Sequence, residues 1–128
     1  MRKTPGIFVL MMAAVIAACE DILEIPDISN QTVEILAPLN ETVLSDSVVT
    51  VSWNDVTDAE GYTVQIATPN FENAAQILLD STMILDSTFV GTHVTQVLGN
   101  GDFEWRVQAF NLNYSTTFSQ ATFSVVAP

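Results

Sequence analysis

Three stretches of strict alternation constrain this chain more than anything else in it. Val49, Val51 and Trp53 alternate with Thr50 and Ser52. Tyr62, Val64 and Ile66 alternate with Thr63 and Gln65, and Phe103, Trp105, Val107 and Ala109 alternate with Glu104, Arg106 and Gln108. Successive side chains of an extended chain point to opposite faces, so each stretch gathers its apolar members on one face and its polar members on the other. That is the signature of strands half-buried in a sheet. No segment of similar length keeps a helical period with end caps.

Turn chemistry falls where such strands should stop. Pro38-Leu39-Asn40, Asn54-Asp55, Glu60-Gly61, Pro69-Asn70 and Gly99-Asn100-Gly101-Asp102 recur at the spacing of an all-β sandwich. Strands are expected near 32–37, 48–53, 62–68, 76–80, 93–98, 103–111 and 121–126, with 83–90 either part of a strand or an irregular crossover. The expected fold is all-β: a single immunoglobulin-like antiparallel sandwich of about seven strands around one core roughly 10 Å thick. Trp53, Tyr62, Phe103, Trp105 and Phe123 fall on inward phases, and the two tryptophans should face each other from opposite sheets.

The N-terminus obeys different rules. Arg2 and Lys3 precede an apolar run over 7–18 that ends in Ala17-Ala18-Cys19. A basic head, an apolar run of about a dozen residues and small residues before a cut site describe a secretory signal, too short for the roughly twenty residues that span a bilayer. Because the run ends in the chain's only cysteine, it resembles the lipobox of bacterial lipoproteins. The resemblance implies removal of residues 1–18 and diacylglyceryl modification of Cys19, which becomes the new N-terminus. Residues 19–31 then read as an acidic tether and 32–128 as the folded domain; a tether of that length reaches about 40 Å at roughly 3.3 Å per residue. Glu20-Asp21, just after the cysteine, is similar to the acidic signal that sends lipoproteins of the Bacteroidota lineage to the outer face of the outer membrane. Retention on the periplasmic face is the alternative.

All fifteen acidic residues lie beyond the signal, against Arg106 as the one strong base there, so the mature chain carries a formal charge of about −14. Nucleic acid is excluded as a partner, because binding it takes several Lys or Arg to displace counterions. Anionic lipid is repelled as well, which leaves the acyl chains to hold the membrane at roughly 0.8 kcal/mol per buried methylene.

Within the domain, 49–53, 59–67 and 101–111 look like the second, third and sixth strands of fibronectin type III domains, in the variant found in exported bacterial lipoproteins. That resemblance extends over about 33–126. It departs in one place: many such domains have tyrosine at the start of the sixth strand, where this chain has Phe103 and no hydroxyl for a corner bond.

Residues suited to chemistry are few. His93 is the sole histidine, with no catalytic arrangement around it, and no Gly-rich phosphate loop occurs. No enzyme activity and no cofactor are expected. Asp55, Asp58 and Glu60 read as a solvated acidic turn, since their spacing matches no calcium loop. Arg106 should point outward and pair with a carboxylate on an adjacent strand. Phe110 has the phase opposite to Trp105; with Tyr114, Asn111 and Asn113 it offers the aromatic and amide groups that hold sugars, or it caps the sandwich edge. Asn70, Phe71 and Asn100 are interaction candidates on the end away from the lipid, where Phe71 is either a contact or a plug. Ser47, Ser81 and Ser87 sit in Asp-Ser-Val and Asp-Ser-Thr triplets similar to the acceptor for protein O-glycosylation in Bacteroidota. The expected function is a lipid-anchored, noncatalytic outer-membrane lipoprotein acting as a protein- or glycan-interaction module, possible accessory to a larger surface assembly. The alternative is a structural envelope spacer with no small ligand.

Overall fold

The computed structural model describes residues 24–85 and 91–128. The expected signal and Cys19 lie outside the described residues, as does Ser87. Eight strands follow one another: β1 (Ile35–Ala37), β2 (Thr42–Leu44), β3 (Val48–Trp53), β4 (Gly61–Thr68), β5 (Gln76–Ile84), β6 (His93–Val97), β7 (Gly101–Phe110) and β8 (Ser119–Val125). They form a three-stranded sheet in the order β1-β3-β6 and a five-stranded sheet in the order β2-β8-β7-β4-β5. The sheets pack into a sandwich.

The three alternating stretches become β3, β4 and β7, with their apolar members buried as the period requires. β5 runs to Ile84 and absorbs the start of the ambiguous 83–90 stretch. An eighth strand, β2, was not expected: 38–45 reads as a turn, and three residues are too few to show a period of two. After β1 the chain crosses to the other sheet, where β2 pairs in parallel with β8, the one departure from antiparallel pairing among the described strands. The fold also begins earlier than residue 32. Ile28 is fully buried in the core with Val33, so the last part of the expected tether is packed, and Asn111 holds the Pro26 carbonyl just before it.

Trp53 from β3 and Trp105 from β7 meet at the centre with ring centroids 6.3 Å apart, and Tyr62 packs edge-on to Trp53 at 5.3 Å. Phe103 and Phe123 stack at 5.4 Å near the other end. Trp105 Nε1 donates to the Pro38 carbonyl at 3.1 Å, whereas the buried Trp53 Nε1 has no partner among the described residues. An orphaned donor costs about 1–3 kcal/mol. Removing roughly 150–250 Å² of ring from water at about 25 cal/mol per Å² outweighs it.

Candidate functional site

One end of the sandwich collects the N-terminal segment, the β3–β4 connection and the β7–β8 connection, and side-chain hydrogen bonds stitch the three together. Asn111, 7% exposed, donates from Nδ2 to the carbonyls of Pro26 (2.8 Å) and Asp58 (3.3 Å). Its Oδ1 accepts from the backbone of Asn113 (3.2 Å) and Tyr114 (2.9 Å). Gln31 reaches the Thr57 carbonyl, and Asn54 donates to Glu34. The Tyr62 hydroxyl closes the β3–β4 connection by accepting from Val56 N–H and donating to Asp55 Oδ1, both at 2.9 Å. Burial pushes this hydroxyl up to about 12, and the neighbouring Asp55 carboxylate adds to the rise while the Val56 N–H opposes it. Phe103 indeed has no hydroxyl to tie a corner; Tyr62 on β4 makes a tie of its own.

This geometry changes what the candidates at that end can do. The Asn111 amide uses its full capacity of two donors and two acceptor sites inside the protein. Phe110 is paired with Gly61 across the β4–β7 ladder, and its ring lies where a Gly61 side chain would begin. It is a cover for a glycine, as an aromatic opposite glycine often is. Asn113 and Tyr114 remain exposed, next to the still more exposed Leu112. Asp55, Asp58 and Glu60 are all exposed, and no group of three His, Cys, Asp or Glu converges to metal-binding distance among the described residues.

At the opposite end, Asn100 makes two bonds to Ala127, accepting its N–H at 2.8 Å and donating to its carbonyl at 3.1 Å. It therefore clamps the C-terminal segment. Asn70 Oδ1 accepts from Asn73 N–H and shapes the β4–β5 turn. Ser47 accepts Leu98 N–H at its carbonyl, beside an Asp46 carboxylate that caps Val48 N–H. Ser81 lies in β5, opposite Val64. His93 is exposed at the start of β6, paired with Ser52.

Phe71 is not an end plug. The β4–β5 turn folds back over the outer face of the five-stranded sheet, held by Phe71 N–H donating to Glu104 Oε1 at 2.9 Å. The Phe71 ring then lies 4.0 Å from the Arg106 guanidinium carbon, and Phe118 lies 4.4 Å from it. Arg106 points outward as expected, but its hydrogen-bond acceptor is the amide of Gln65 (Nε to Oε1, 2.7 Å) in place of the carboxylate foreseen. The reason is register: Gln65 stands directly opposite Arg106 on β4. Phe71, Phe118 and the Gln65 amide were invisible as partners of Arg106, because alternation reveals a face and says nothing about which residues meet across it. A shallow groove of about 510 Å³ lies here, lined by Asn70, Phe71, Glu72, Glu104, Arg106 and Gln120.

Neither a family model nor a curated protein matches the sequence. Among solved structures, the chain is similar to the fibronectin(III)-like modules of Clostridium thermocellum CbhA, with a TM-score of 0.52 at 10% identity over 75% of this chain and 98% of that one. It is also similar to a β-sandwich protein from a computer-based redesign, with a TM-score of 0.49 at 18% identity over 75% of this chain and 92% of that one. An Fn3-like protein from Clostridium thermocellum gives 0.43 at 19% identity over 75% and 88%. At such identities the likeness speaks to fold and not to activity. The strand order of the two sheets and the likeness to the CbhA modules agree that the described chain is a fibronectin type III-like β-sandwich.

Proposed function

We propose that the chain is a noncatalytic interaction module, held at the outer membrane by lipid on Cys19 and displayed on the cell surface through Glu20-Asp21. Its partner is a protein or a glycan, and it serves a larger surface assembly as an accessory. The observation that carries this reading is the union of a basic head and apolar run ending at the only cysteine with a small sandwich that offers binding groups on its surface. The domain geometry suits such an anchor. Asn111 fastens Pro26, seven residues beyond Cys19, so the lipid lies within about 25 Å of that end at full extension.

The test is labelling of the full chain with palmitate. Cys19→Ala abolishes incorporation and leaves an unprocessed or soluble product, while external protease strips the domain from intact cells carrying the native chain. Persistent labelling of Cys19→Ala removes the anchor, and complete protection until lysis moves the domain to the periplasmic face.

A further inference from the structure

The outer face of the five-stranded sheet carries a row of four polar side chains in direct register. Gln120 on β8 pairs with Arg106 on β7, Arg106 with Gln65 on β4, and Gln65 with Asp80 on β5. The row is fixed from one side, since Gln65 Nε2 donates to Asp80 Oδ1 at 3.0 Å while its Oε1 receives Arg106 Nε at 2.7 Å. Phe71 and Phe118 hold the guanidinium against the sheet at 4.0 and 4.4 Å. Five N–H donors belong to an arginine, and only Nε is used here; the terminal NH2 groups have no hydrogen-bond partner among the described residues.

Those groups sit in the groove of about 510 Å³ described above. Its other walls are also half-used. Among the described residues, Asn70 uses its Oδ1 on Asn73 and keeps its Nδ2, whereas Gln120 donates Nε2 to Glu104 Oε2 at 3.0 Å and keeps its Oε1. Glu72 adds an exposed acceptor. Donors from Arg106 and Asn70 thus interleave with acceptors from Gln120 and Glu72, next to the partly exposed Phe71 ring. A hydroxyl group both donates and accepts, and a pyranose presents several of them around an apolar C–H face that rests on an aromatic ring.

Charge narrows the class further. An anionic chain would meet Glu72 and Glu104 in the groove and a molecule of about −14 behind them. A cationic segment is drawn by that net charge, but in the groove it meets the guanidinium, and both Glu104 oxygens are already taken by Phe71 N–H and Gln120 Nε2. From these features we infer that the groove over Arg106 is a binding site for a neutral glycan, with Phe71 as the stacking surface and Arg106, Asn70 and Gln120 as the hydrogen-bonding groups. The inference rests on the interaction-module reading and gives that module its site and ligand class.

The test uses the full chain, purified in mild detergent, on immobilised starch, cellulose, xylan, mannan and galactan, beside polygalacturonate and hyaluronate. Binding to at least one neutral polysaccharide is expected. Phe71→Ala and Arg106→Gln weaken it tenfold or more, Gln120→Ala and Asn70→Ala three- to tenfold, and Tyr114→Ala changes it less than twofold. Thermal melting accompanies each variant; the two rim substitutions carry the test if Arg106→Gln melts early. The inference is overturned by binding to the anionic polymers only, by no binding to any polymer, or by neutral binding that survives Phe71→Ala and Gln120→Ala. A crosslinked membrane protein with no polysaccharide bound overturns the glycan site and leaves the module reading standing. Loss of palmitate labelling at Cys19 has no bearing on the groove.

Discussion

The end of the sandwich that receives the N-terminal segment and the outer face of the five-stranded sheet are both rich in amides, hydroxyls and aromatics, yet they put them to opposite uses. At the end, Asn111 satisfies every donor and acceptor it has on Pro26, Asp58, Asn113 and Tyr114. On the face, among the described residues, Arg106 bonds through Nε alone and Gln120 through Nε2 alone. Composition does not separate the two regions. What separates them is whether irregular segments converge: two connections and the N-terminal segment meet at the end and leave many backbone groups that need partners, whereas on a sheet face the ladder has already satisfied the backbone and side chains keep their capacity for something else.

Substitutions at the end should therefore cost stability, and those on the face should cost little. The largest effect belongs to Gly61→Ala, because a Cβ there would collide with the Met83 carbonyl oxygen and lie 2.5 Å from the Phe110 ring. A loss of about 2–4 kcal/mol is expected, lowering the melting temperature by roughly 10 °C or more. An unchanged transition would show that Phe110 swings aside freely and is available for other contacts after all. Next comes Asn111→Ala, which strips four bonds at once and should cost about 2–3 kcal/mol in urea denaturation. A cost below about 0.5 kcal/mol would erase the distinction between end and face.

The smallest effect is the sharpest in form. Tyr62 ionises near 12 in the folded chain, above its ordinary value of 10.0. A raised phenol pKa contributes stability that is fully present below pH 10 and disappears as pH climbs toward about 12. Tyr62→Phe gives up the bonds to Val56 and Asp55, for about 1–2 kcal/mol at neutral pH, and removes this part of the alkaline loss. Parallel alkaline melting curves for the variant and the native chain would show that the hydroxyl is not a closure of the β3–β4 connection.

Much of the fold was legible because it rests on alternation. The inward phases of Trp53, Tyr62, Phe103, Trp105 and Phe123 were readable residue by residue, and all five are buried. Thr42–Leu44 escaped because three residues carry no period, and Ile28 because the apolar residues scattered through its acidic stretch form no strand alternation that would mark one of them as core. The candidate site was less legible. Outward phase placed Gln65 and Arg106 on a shared kind of face, but register decided that they touch, and register depends on bulges and connection lengths that local sequence does not specify. Phe71 shows the same limit in a loop. Nothing in Pro69-Asn70-Phe71 announces that the turn folds back onto Glu104; that path follows from one backbone bond to a carboxylate 33 residues away in the chain.

The parallel pairing of β2 with β8 has a mechanical consequence. Thr42, Val43 and Leu44 run alongside Phe123, Ser124 and Val125 in the same direction, and Glu41 N–H to Thr122 and Val126 N–H to Leu44 extend the contact at both ends. A tension applied between the chain's beginning and its end pulls these two strands past each other lengthwise. All the hydrogen bonds between them then share the load together, where an antiparallel hairpin pulled from its open end would yield one bond at a time. The N-terminal segment and β1, which precede β2 and are fastened to the sandwich through β3 and Asn111, take the load first; once they yield, the β2–β8 seam stands in shear between the pulled end and the last strand.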